Sequence, residues 1–197
     1  MNKKSIVAIV IVFMAFMVSD AMAGPFGLRK GMSLKEIGGK PERIGNGIYK
    51  LIKVPKPHSA FEAYIVKVAP KGGLCWIKAI GKDIATSSYG IELKSAFQEM
   101  EKKLTAIYGE HETIDDLLPN SIWNEPSDWM MGLIKKERIL IAIWDSEKGS
   151  HLPSDLKQVG LIAGATSGNT GYIAVEYSFT NKDSCDAELA KQEDDAL

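Results

Sequence analysis

Only two cysteines, Cys75 and Cys185, and three histidines, His58, His111 and His151, occur among the 197 residues. Neither cysteine belongs to a CxxC pair, which excludes the common zinc and redox motifs. No GxSxG elbow, HExxH, Walker loop or dinucleotide fingerprint is present, so no catalytic nucleophile, metal or cofactor is expected. The histidines lie far apart in polar or proline-flanked segments, a distribution that gives no metal or acid-base site. Charge of one sign is lacking too: removing Lys3, Lys4 and Asp20 from the 24 basic and 25 acidic side chains leaves 22 and 24. With no basic run to neutralise several phosphates, nucleic acid is not an expected partner. The longest apolar run, Ile6 to Val18, falls short of the ~20 residues that span a bilayer.

That run has another reading. Lys3 and Lys4 precede it and Ala21-Met22-Ala23 follows, the layout of a bacterial signal peptide over residues 1–23 with cleavage before Gly24. The expected location is the periplasm or the medium. No cysteine at the cleavage point would carry a lipid, and after cleavage no stable membrane span remains. In such an oxidising compartment Cys75 and Cys185 can form a disulfide; two separate thiols, with Cys75 buried in the strand-like LCWIKAI, are the alternative.

The clearest period runs through Tyr89 to Gly109. Leu93, Ala96, Phe97, Met100, Leu104 and Ile107 recur at helical spacing and predict an amphipathic helix laid on a sheet. A shorter helix is expected after Ser33, whose N-cap role is supported by Glu36 three residues on. Strands are expected at 47–54, 61–69, 74–80, 129–134, 138–144, 158–164 and 171–179, with glycine and proline between them. Ile139, Ile141 and Ile143 alternate with Leu140, Ala142 and Trp144, which predicts a central strand apolar on both faces. From Asp183 a closing helix carries Cys185; the acidic tail reads as a solvated terminus, and the glycine-rich Gly164–Gly171 as a turn. The fold class is α+β: antiparallel sheet packed by an amphipathic helix. Two tandem related modules, 24–84 and 85–197, are one organisation of it, since Gly31-Met32-Ser33-Leu34-Lys35 answers to Gly90-Ile91-Glu92-Leu93-Lys94; one compact domain is the other.

For chemistry, the most suggestive stretch is SIWNEPSDWMM, which sets Trp123 and Trp129 around Glu125 and Asp128. Aromatic platforms beside carboxylates suit a sugar- or cation-binding cleft, and a carboxylate pair can serve as acid and base in a small hydrolase. The competing reading is a structural loop whose indoles are buried and whose acids are turn residues.

Gly31-Met32-Ser33, a short helix, Gly39-Lys40-Pro41 and strands from about Tyr49 resemble the module shared by outer-membrane-assembly lipoproteins of the BamE type and by beta-lactamase inhibitory proteins. That resemblance covers about a dozen residues in each half, and it implies a helix-plus-sheet unit that binds another envelope protein and catalyses nothing. The first helix is several residues shorter here, and the lipid-bearing cysteine is absent. Tyr89 to Lys94 and Ile122 to Trp129 are also similar to segments of an uncharacterised family of exported bacterial proteins.

Overall fold

The computed structural model describes residues 24–195; the signal peptide expected over 1–23 lies outside the described residues. The elements in chain order are α1 (Leu34–Ile37), β1 (Glu42–Gly45), β2 (Ile48–Leu51), β3 (Phe61–Ala69), β4 (Gly73–Gly81), β5 (Ile84–Ala85), α2 (Ile91–Tyr108), β6 (Glu112–Leu117), α3 (Trp129–Ile134), β7 (Arg138–Asp145), β8 (Leu156–Ser167), β9 (Thr170–Phe179) and α4 (Lys182–Asp194). The class is α+β. All nine strands belong to one antiparallel sheet of order β1-β2-β3-β4-β9-β8-β7-β6, with β5 beside the end of β9. Each half of the chain supplies a helix and then a four-stranded meander, and the last strand of each meander pairs with the other, Ile77 opposite Tyr177.

The strand pattern shows why one face is core. Along β9, Ile173, Val175, Tyr177 and Phe179 are buried while Tyr172, Glu176 and Ser178 are half-buried, the period of two that sends successive side chains to opposite faces. Onto the buried face α2 lays Leu93, Phe97, Met100, Leu104 and Tyr108. Ile107, expected in that stripe, is instead 64% exposed, and Tyr108 takes its place one residue on. Leu28, Ile37 and the ring of Phe26, which meets Tyr64 and Tyr177 edge-on, cover the same face over the first meander. Ser33 and Glu36 form the predicted capping box, Ser33 N–H donating to Glu36 Oε2 at 2.8 Å.

Four local expectations are corrected. Residues 129–134 form α3, not a strand: Trp129, Met130 and Leu133 are buried at helical spacing, which so short an apolar run does not distinguish from a strand. An unforeseen strand, β6, sits at the sheet edge, where pairing on one side leaves ETIDDL free to be polar. That places β7 second from the edge rather than in the centre. The glycine-rich piece is mostly β8, which runs to Ser167, and its turn is reduced to Gly168-Asn169 between Ser167 and Thr170.

α3 ends in a Schellman arrangement, Glu137 N–H donating to Gly132 O and Lys136 N–H to Leu133 O. The left-handed position of that motif, usually glycine, is held here by Lys136 at φ 58°. For a residue with a Cβ this backbone costs about 1–2 kcal/mol.

α4 packs on the opposite face, against β3 and β4, through Cys185 and Leu189. A bulge opposite Lys67 and Val68 adds Cys75 to β4, so that Cys75 joins Cys185 instead of sharing the core face with Ile77. The two cysteines are paired at disulfide distance, with alpha carbons 6.3 Å apart. The acidic tail is thus not merely solvated. Glu188 accepts from the backbone N–H groups of Lys71 and Gly72, and Asp186 pairs with Lys67 at 2.8 Å and with Lys182. Partial burial works against the Asp186 charge, but the hydrogen bonds from Lys182 and Lys67 outweigh it and hold the carboxyl below its ordinary range. A lowered carboxylate contributes stability that is present above the unfolded value, about 3.9, and is lost as pH falls through the folded one. Asp186→Asn is therefore expected to flatten the acid limb of the stability–pH curve below about pH 4 in urea titrations; an unchanged limb would count against the pairing.

Candidate functional site

The stretch nominated by sequence becomes a turn and a helix start. Pro126–Asp128 is a single 3-10 turn entered through Glu125, and α3 follows it. Glu125 is exposed, Asp128 and Trp123 are half-buried, and neither carboxylate caps the helix it precedes. Trp129 is 4% exposed. One edge of its indole lies against Gly90, where an added Cβ would come within 2.2 Å of the ring, and Lys94 Nζ stands 4.3 Å from the ring centroid. Burial lowers the Lys94 pKa, nearby Asp115 opposes that, and nearby Arg138 adds to it. Trp129 therefore fixes α3 against the start of α2, and its covered face is not free to stack on a ligand. Trp123, Glu125, Asp128 and Trp129 line none of five surface cavities found among the described residues.

Two other polar groupings also sit at structural joints. His111 Nε2 lies 3.1 Å from Glu101 Oε1, which also accepts from Thr113 Oγ1 at 2.5 Å, while the imidazole stacks on Trp144. This ties the end of α2 to β6. In the core, burial pushes the phenols of Tyr108 and Tyr177 above their ordinary range, so both remain neutral at physiological pH.

Sequence reasoning missed the open face of the sheet. Where one face of an antiparallel sheet meets water, its outward residues are ordinarily polar. Here the register aligns Ala63, Ile80, Ala174, Ile162, Ile141 and Ile114 in one apolar row across six strands, from β3 to β6. The four isoleucines are half-buried. Among the described residues, the helix packed on this side is α4, at its β3–β4 end. Beside it runs a mixed row of Ile65, Lys78, Glu176, Gly160, Ile143 and Glu112, in which Lys78 and Glu176 form a cross-strand ion pair of 2.8 Å and Gly160 has open space above it. The signal was present in β7, apolar on both faces; what pattern alone does not reveal is that one of those faces has no layer over it.

Among the described residues no helix is long and apolar enough to cross a membrane, and no cluster of three or more metal-ligating side chains occurs. No protein-family model, curated protein or solved structure matches the chain.

Proposed function

We propose that this protein is an exported, non-catalytic binding module of the bacterial envelope, periplasmic or secreted, whose open sheet face receives another envelope protein. The observation that carries the proposal is the six-strand apolar row. At about 4.8 Å between strands the row is roughly 24 Å long, too long for a small molecule to cover and suited to a protein surface. A half-exposed isoleucine row beside an ion pair is the mixed surface that marks interaction sites on soluble proteins. The BamE-type and inhibitor-like resemblance points the same way, since it implies helix-plus-sheet units that act by binding. The signal-peptide reading of residues 1–23 supplies the compartment.

The test is capture of partners by the tagged protein from an envelope extract, followed by direct binding of any partner to purified variants. Ile80→Lys with Ile114→Lys puts two charges into the row, and affinity is expected to fall at least about 30-fold, as loss of an interface hot spot does. Undiminished binding by that variant removes the open face from consideration. A carbohydrate or glycosidase signal abolished by Trp129→Ala with Asp128→Asn, in the absence of a protein partner, would replace this reading with a small hydrolase or sugar-binding protein working at Trp123, Glu125, Asp128 and Trp129.

A further inference from the structure

The β7–β8 ladder stops early. It runs from Asp145↔Gln158 to Ile141↔Ile162, after which Arg138, Ile139 and Leu140 pair with β6 alone and Ala163, Gly164 and Ala165 with β9 alone. Between the parted strands lies a cavity of about 330 Å³, lined by these six residues together with Leu133, Ile134, Lys136, Ile141, Ile162 and Tyr172. Its size is at the lower end of the ~300–1,000 Å³ of small-molecule sites.

We infer that this slot binds a small anionic amphiphile, an aliphatic chain ending in a carboxylate. The walls are mostly aliphatic, with the Tyr172 ring on one side, and the two charged side chains that line them are both cationic, Lys136 and Arg138. Arg138 is only partly used by the fold: Nη1 donates to Asp115 Oδ1 at 2.7 Å, while Nε is buried with no partner. The ion pair with Asp115 engages only one of the guanidinium N–H groups, which leaves others to donate to a carboxylate. Lys136 is exposed and pairs with no acid among the described residues. It holds the left-handed position where glycine fits better, and strain of that kind is kept where a side chain is needed. A hydrophobic slot with one half-satisfied and one free cation complements an apolar tail with one negative head. The slot shares Ile141 and Ile162 with the apolar row but not Ile80 or Ile114, so the Ile80→Lys, Ile114→Lys variant tests docking without altering the slot's lining.

The probe is decanoate at monomeric concentrations, followed by titration calorimetry on the disulfide-bonded protein, with decyltrimethylammonium as the same tail under the opposite charge and acetate as the head alone. Decanoate is expected to bind with one-to-one stoichiometry, and the other two to bind at least about tenfold more weakly, as loss of a charge-assisted contact or of the buried chain requires. Lys136→Gly separates function from folding. It should raise the thermal midpoint by relieving the left-handed residue, and should weaken decanoate at least about tenfold. Binding of decanoate and decyltrimethylammonium with equal affinity, binding only to anionic phospholipid vesicles, or Lys136→Gly binding as tightly as the parent would each overturn the assignment.

Discussion

Phe97→Ala is expected to lower the unfolding free energy by about 3–5 kcal/mol, read from the urea midpoint at constant slope. Phe97 is 1% exposed, in the middle of α2, with Leu93 and Met100 on either side in the same buried stripe. Those neighbours are anchored in turn by the sheet, Leu93 standing close enough to Gly171 that a Cβ there would come within 2.4 Å of it. With Leu93 held so closely against the sheet, the site collapses only partly into the space a benzyl group leaves, and the cavity contribution adds to the lost transfer free energy. Ile107→Ala, ten residues along the same helix but exposed, supplies the contrast and should stay within about half a kcal/mol. If the two substitutions had similar effects, the packing of α2 on the sheet as described would be wrong.

The second large effect concerns the bridge between β4 and α4. Replacing both cysteines, Cys75→Ala with Cys185→Ala, is expected to cost about 2–5 kcal/mol. The two sulfurs join residues 110 apart in sequence, and closing a loop of that size restricts the unfolded chain by as much as about 4.7 kcal/mol in the entropic account. The native side adds little to offset the loss, because apart from Cys185 the buried face of α4 consists of Leu189. Urea unfolding of the double variant should show a lower midpoint together with a steeper slope, since an uncrosslinked chain exposes more surface. A thiol titration of the denatured, unreduced parent protein that finds two free thiols would remove the premise itself.

How much of this was legible in the sequence differs by element, for identifiable reasons. α2 was read nearly to the residue because 18 residues of one period average out local exceptions, and β3, β4 and β9 because two-residue alternation is strong when one face is core. The errors lie where the signal is short or one-sided. α3 has six residues, too few for a period to declare itself; β6 pairs on one side only and carries acids. The Cys75–Cys185 pair was expected from the compartment and is present, but the bulge that turns Cys75 toward α4 leaves no trace in composition. The Trp123–Trp129 stretch attracted attention through residue type, but type does not say which way an indole faces, and Gly90 and Lys94, some 35 residues earlier, settle that for Trp129. The open face and the slot are tertiary facts. They depend on what does not lie over a strand, and on where a ladder stops.

The meeting of β4 with β9 at the middle of the sheet also fixes an order of events in time. Ile77 pairs with Tyr177, so the central seam cannot close until almost the whole described chain is available. The first meander can fold back on itself through local hairpins, but its β4 edge stays open while some hundred residues are still to come. Such distant pairing slows folding and leaves an unpaired strand exposed to neighbouring chains in the interval. Under the export proposed above, that interval would fall on the far side of the membrane, where the seam and the bond joining α4 to β4 would be completed together as the last elements emerge.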